Sequence, residues 1–175
     1  MGNADGLIFV SIKQCNNNKI IYKIRGNCSC EKIIFVKEEK LEIRLANTKD
    51  FDILMNYDGH ISKETLLNSI LQNRIYVIED GKRFCGWLRY NLFWDNTPFM
   101  NLLYILEEDR NKGIGRQLVV HWENQMKKLG YHVVMTSTQE NEEAKKFYDR
   151  LQYKKVGGFY PLDEDFELIM IKKIS

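Results

Sequence analysis

Between Asn101 and Leu129 the chain passes from a hydrophobic strand through a short basic loop with two glycines into a long amphipathic helix. Ile114, Leu118, Trp122, Met126 and Leu129 recur at nearly every fourth position after Gly113, the period of a helix that buries one face. Gly130 is a natural stop for it. The strand before the loop covers Asn101–Leu106, and His132–Ser137 after the helix reads as another.

The rest of the chain from Leu41 onward alternates in the same way. Leu41–Ala46 is a strand, and Asn47 or Thr48 caps a helix carrying Phe51, Leu54 and Met55. Ser62 caps a second helix with Leu66, Leu67, Ile70 and Leu71. Arg74–Glu79 and Phe84–Phe93 flank the turn dipeptide Asp80-Gly81 and form a hairpin that Pro98 ends. Glu142–Gln152 is a helix with Ala144, Phe147, Tyr148 and Leu151 on one face, and Val156–Tyr160 and Phe166–Ile171 are the last strands. Strands alternating with helices imply an α/β domain with one largely shared sheet. Residues 1–40 differ: short β-branched runs punctuated by Asn16-Asn17-Asn18 and Gly26-Asn27 read as a β-meander, an extension ahead of a domain spanning 41–175.

Composition narrows the function. Lys and Arg total 26 against 24 acidic residues in a chain of 175, and a net charge of +2 points to neither nucleic acid nor membrane as partner. No apolar run approaches the ~20 residues of a spanning helix, and no signal peptide is expected, which places the protein in the cytoplasm. Cys15, Cys28, Cys30 and Cys85 are then expected as reduced thiols. Cys28-x-Cys30 has no second ligand pair, and His60, His121 and His132 do not supply one, so no metal site is expected.

The loop carries the chemistry. Gly113 and Gly115 let backbone N–H groups approach a ligand closely, and those groups open a helix where they lack intrahelical partners. The helix dipole adds partial positive charge, and Arg110, Lys112 and Arg116 add formal charge. This is a site for a phosphate or pyrophosphate. No Gly-Lys-Ser/Thr of a Walker A loop occurs, and Leu118 stands where a dinucleotide fingerprint needs its third small residue. What remains is R-x-x-G-x-G, the run Arg110-Asn111-Lys112-Gly113-Ile114-Gly115.

A second segment, Asn141-Glu-Glu-Ala-Lys-Lys-Phe-Tyr148, opens the next helix after an intervening strand. With these two motifs in this order, the chain from about Leu41 to Ile174 resembles the GCN5-related N-acetyltransferase (GNAT) superfamily, in its small bacterial members of unassigned substrate. The resemblance implies a mixed, mostly antiparallel sheet with helices on both faces, splayed at its two central strands. It implies acetyl-CoA as cofactor, with CoA as product, its pyrophosphate on the run Arg110–Arg116. Pantetheine would lie in the splay, bonded by backbone groups near Leu103 and Ile105 and by Asn141, with Phe147 alongside. Tyr148 matches the position that protonates the departing thiolate. A phenol near pKa 10 against a thiol near 8.5 makes full transfer about 2 kcal/mol uphill, so the hydroxyl acts as much as a hydrogen-bond donor as an acid.

The implied reaction is direct attack by the primary amine of a small molecule on the thioester, through a tetrahedral intermediate. The alternatives are a protein or peptide amine as acceptor, or a non-catalytic acyl-CoA-binding module. Candidate acceptor residues are Asp58 and His60 between the first two helices, and Trp87, Tyr90 and Trp94 along the hairpin, since aromatics and carboxylates suit a cationic amine. Glu107, Glu108, Asp58 and His60 are candidate bases, whereas Asn101 cannot serve. The protein is expected as a monomer or homodimer.

Overall fold

The computed structural model describes residues 9–15, 19–25, 31–37, 41–140, 143–162 and 164–175. The chain divides into two compact units, Met1–Lys40 and Leu41–Ser175. In the first, β1 (Phe9–Cys15), β2 (Lys19–Arg25) and β3 (Glu31–Lys37) form an antiparallel sheet in sequence order, with Phe9 opposite Arg25 and Lys19 opposite Lys37.

The second unit is built on a seven-stranded sheet. Its strands are β4 (Leu41–Leu45), β5 (Ile75–Asp80), β6 (Arg83–Phe93), β7 (Thr97–Ile105), β8 (Val133–Gln139), β9 (Lys154–Phe159) and β10 (Glu167–Lys173), in spatial order β4-β5-β6-β7-β8-β10-β9. All neighbours are antiparallel except β7 and β8. That parallel pair is brief: Phe99 faces Met135 and Met100 faces Thr136, and beyond Met100 the ladder stops. The Thr136 hydroxyl donates to the Met100 carbonyl at 3.1 Å, closing the point of the splay.

Helices cover both faces. Asn47 opens a capping box with Asp50, leading through a 3₁₀ turn into α1 (Phe51–Met55). Ser62 caps α2 (Lys63–Leu71) by accepting from the Thr65 N–H at 3.1 Å. These two helices pack Leu54, Leu66 and Ile70 onto Ile75, Val77 and Trp87. The opposite face carries α3 (Ile114–Lys128) and α4 (Glu143–Arg150), whose Leu118, Trp122, Met126 and Tyr148 bury against Leu88, Met100, Leu168 and Met170. Leu129 and Leu71, which the sequence periodicity placed on buried faces, are 66% and 64% exposed because both close their helices. Strand β7 is longer than the sequence suggests: it begins at Thr97 and takes in Pro98, which pairs with Leu92. Proline is tolerated there because β8 starts pairing only at Phe99, so one side of the strand needs no N–H.

Two bulges set which residues face which core. Between β5 and β6, Cys85 is the extra residue, since Ile78 faces Gly86 and Glu79 faces Phe84. Between β6 and β7 the extra residue is Asn101, since Tyr90 faces Met100 and Arg89 faces Leu102. A bulge shifts the alternation of side chains by one. After Asn101, Leu102 and Tyr104 turn toward α1 and α2, and Leu103 and Ile105 turn toward α3 and α4. The shift occurs where β7 parts from β8.

Candidate active site

The splay becomes a cleft of about 600 Å³, within the usual range for a ligand site. One wall is the end of β7. Leu106 donates its N–H to the Cys85 carbonyl at 2.9 Å. Antiparallel ladders alternate, so Tyr104 and Leu102 bond to β6 while the main chains of Leu103 and Ile105 turn the other way, into the gap. Among the described residues Arg110 takes the Ile105 carbonyl, and the other outward main-chain groups of Leu103 and Ile105 have no strand partner, an edge that an extended ligand can join.

The floor is the loop into α3. Asn111 (φ 60) and Gly113 (φ 80) both adopt left-handed backbone, turning the chain twice within three residues. Gly113 is the N-cap, and no side chain caps the helix. The first intrahelical bond starts at Gln117, whose N–H reaches the Gly113 carbonyl at 3.1 Å. The N–H groups of Ile114, Gly115 and Arg116 thus have no helical acceptor. No acidic residue sits in that first turn, where one would ordinarily complement the dipole. Such a helix start suits an anionic ligand. A Cβ on Gly115 would stand 3.4 Å from Ile105 Cγ1 and 3.7 Å from Phe147 Cζ, ordinary contact distances that place strand and α4 directly against the helix start.

Asp109 anchors the loop. Its carboxylate, 2% exposed, takes a two-pronged bond from Arg83 at 2.6 and 3.0 Å and a third from Lys112 at 3.2 Å. The Arg83 guanidinium, seconded by Lys112, holds it down at about 2. Lys112 is therefore committed to Asp109 and is absent from the cleft lining. Arg110 lies in the lining, its Nε bonded to the Ile105 carbonyl at 3.1 Å.

Helix α4 closes the third side with Phe147 and Tyr148. Tyr148 is 6% exposed and stacks edge-on against Phe147 at 5.3 Å and Tyr153 at 5.6 Å. Of the cofactor residues expected from sequence, Leu103, Ile105 and the loop residues Arg110, Asn111, Gly113, Gly115 and Arg116 share this lining with Phe147. Ile114 is buried beneath it in the core. Asn141 lies outside the described residues. The cleft also gathers Tyr104, Glu143, Ala144, Arg150 and Leu151, which the sequence did not single out as site residues. Ala144 and Leu151 shared a helical face with Phe147 in the sequence pattern, and that face was the available signal for α4.

The acceptor candidates are dispersed. Asp58 is fully buried, and Arg89 grips its Oδ2 through Nε at 3.1 Å and Nη2 at 2.8 Å. Its Oδ1 accepts the His60 main-chain N–H at 3.1 Å, and the His60 residue is exposed. Trp87 is fully buried in the core under α1 and α2. Tyr90 is buried in the other core, 5.9 Å from the Trp122 ring. Trp94 is 80% exposed in the β6–β7 turn, where its φ is 50. Tyr57 stacks on Phe84 at 5.7 Å and packs at a tilt on the cleft-lining Tyr104 at 4.9 Å, so the loop between α1 and α2 rests against the β7 wall.

The family model for the acetyltransferase (GNAT) family matches residues 43–153. This chain belongs to that family. The match spans both the R-x-x-G-x-G loop and the helix of Tyr148. The GNAT fold is borne out by solved structures, although sequence identity is low. The PaiA N-acetyltransferase of Thermoplasma acidophilum, solved with coenzyme A, superposes with a TM-score of 0.64 at 22% identity, covering 77% of this chain and 99% of that one. The ribosomal-protein-S18-alanine N-acetyltransferase of Escherichia coli gives 0.65 at 16% identity, over 78% and 95% of the two chains. The spermidine/spermine N-acetyltransferase SpeG of Vibrio cholerae gives 0.62 at 16%, over 77% and 92%. A comparison with curated proteins finds no match. GNAT enzymes transfer acetyl groups from acetyl-CoA, and the uncapped α3 start beside a strand edge suits that cofactor in this chain.

Proposed function

We propose that this GNAT enzyme is a cytoplasmic N-acetyltransferase that acetylates the primary amine of a small molecule. The observation that carries the reading is the meeting, in one cleft, of an uncapped cationic helix start, a free strand edge and a buried tyrosine. Acetyl-CoA supplies the activated acetyl group. The N–H groups of Ile114, Gly115 and Arg116 bind its pyrophosphate, with Arg110 and Arg116 at the rim. The main chains of Leu103 and Ile105 hold the pantetheine amides, and an N–H there aimed at the developing oxyanion is the kind of donor whose loss costs ~3 kcal/mol in acyl transfer. The neutral amine nitrogen would bond to the thioester carbonyl carbon first, the carbon–sulfur bond would break next, and the surplus proton on nitrogen would pass to water. Tyr148 holds its proton on the hydroxyl and donates it toward the departing sulfur.

A small acceptor is favoured over a peptide because Tyr57 packs on the cleft-lining Tyr104, which brings the α1–α2 loop against the β7 wall. Asp58 is left out of acceptor binding, since Arg89 and the His60 N–H occupy its carboxylate. Buried Cys85, a free thiol, fits a reducing compartment.

The test is a thiol-release assay over a panel of polyamines, amino acids and aminoglycosides, repeated with Tyr148→Phe. The expected result is turnover with one amine class, falling about 100-fold in the variant while calorimetry gives unchanged acetyl-CoA affinity. Near-normal turnover by the variant refutes the role of Tyr148, and acetylation of peptides alone refutes the small-molecule acceptor.

A further inference from the structure

Three guanidiniums line the cleft, those of Arg110, Arg116 and Arg150. Arg110 is tied by its Nε to the Ile105 carbonyl, while Arg116 and Arg150 make no ion pair or hydrogen bond among the described residues. The acid nearest to Arg150 in sequence, Asp149, is taken by Lys145 at 2.7 Å. Among the described residues Glu143 is the one carboxylate in the lining, and it stands at the opposite end of α4. Seven residues of helix separate it from Arg150 by about 10 Å.

The position of Arg150 is defined through Phe147. That ring packs beside Gly115, at the start of α3. Arg150 lies three residues on, on the same helical side and about 4.5 Å further along the axis. It therefore sits beside the pyrophosphate site rather than over it. A pyrophosphate diester carries two negative charges, which the α3 start, Arg110 and Arg116 already meet. Coenzyme A carries one more anionic group, the 3′-phosphate monoester of its ribose, with a charge of roughly −1.5 to −2 at neutral pH and three strong acceptor oxygens.

We propose that Arg150 is the anchor for the 3′-phosphate of coenzyme A, so that this enzyme distinguishes CoA from 3′-dephospho-CoA through α4. The inference rests on the acetyl-CoA reading above. A guanidinium suits the role because its planar fork meets a phosphate with two parallel bonds, which an ammonium cannot do.

The experiment is calorimetric titration of the full-length protein with CoA and with 3′-dephospho-CoA, for wild type and for Arg150→Gln. Circular dichroism confirms that the variant is folded, as expected for an exposed helix-end residue. Wild type should bind CoA about tenfold more tightly than dephospho-CoA, a preference set by one charge-assisted contact at a solvated rim. Arg150→Gln should bind both ligands alike, with the affinity that wild type shows for dephospho-CoA. Equal weakening of both ligands by the substitution overturns the proposal, because it places Arg150 on the pyrophosphate. Unchanged discrimination overturns it as well. Failure of wild type to bind either ligand overturns the cofactor reading itself, an outcome distinct from the other two.

Discussion

Replacing Asp58 by leucine removes the partner of Arg89, whose side chain is only 11% exposed beside a carboxylate that is wholly buried. Both bonds from the guanidinium converge on one oxygen, so a single substitution strips them together. Leaving a buried charge unpaired costs about 3–5 kcal/mol. Unfolding entropy of ~2.1 cal/mol/K per residue gives about 0.28 kcal/mol/K for a unit of about 135 residues, so a 3 kcal/mol loss lowers Tm by roughly 10 °C. Arg89→Met should cost as much by the same logic, since it strands the carboxylate. The double variant Asp58→Leu/Arg89→Met should recover most of the loss, because apolar replacement of a buried pair is often near neutral. Urea denaturation of the four proteins completes the cycle. Affinity for acetyl-CoA should hold throughout, since the pair lies on the α1–α2 side of the sheet. The reasoning fails if either single change costs under 1 kcal/mol, or if the double variant loses the sum of the two.

Three further outcomes follow from local geometry. Gly113→Ala should destabilise by about 1–2 kcal/mol in a thermal melt, because its φ of 80 is unfavourable for any side chain although nothing stands within 4 Å, while Gly59→Ala, with open space and no positive φ, should be neutral. Gln152→Gly should stabilise by about 0.5–1 kcal/mol in urea denaturation, since Gln152 ends α4 at a φ of 69. Asp109 is held at about 2, below its usual 3.8, so its contribution is complete above about pH 4 and fades as pH falls toward 2. The stability gap between wild type and Asp109→Asn should therefore narrow over that acid range when measured by denaturant titration.

The glycine loop and α3 were legible because a 3.6-residue period and a glycine-bearing turn are local signals. Tyr148 was legible as a member of the Ala144–Leu151 face, since α4 keeps its period from end to end. What escaped depended on distant pairing. Nothing near Asp58 in sequence announces Arg89, 31 residues away, so a carboxylate that looked available for an amine is in fact spent. Trp87 and Tyr90 read as one aromatic strand, yet they bury on opposite faces of the sheet. Tyr104 joins the cleft at a point where a bulge has already changed the phase of β7, and bulges leave no compositional trace. Arg150 was hidden by its ordinariness, as one cation among many on a helix surface, and only the cleft singles it out.

Asn101 exposes its side chain and adds one residue to β7 where Arg89 and Tyr90 would otherwise find consecutive partners. Substitution there changes little that is packed. Deletion removes the bulge without disturbing the wall: Met100 opposite Tyr90 and Leu102 opposite Arg89 become consecutive, and Leu103 and Ile105 keep their faces along the cleft. A residue inserted after Leu102 is another matter, since it would turn Leu103 and Ile105 to the α1–α2 face. Across a mutational scan position 101 should therefore accept many residues and a single-residue deletion alike, whereas an insertion one residue later should be rejected.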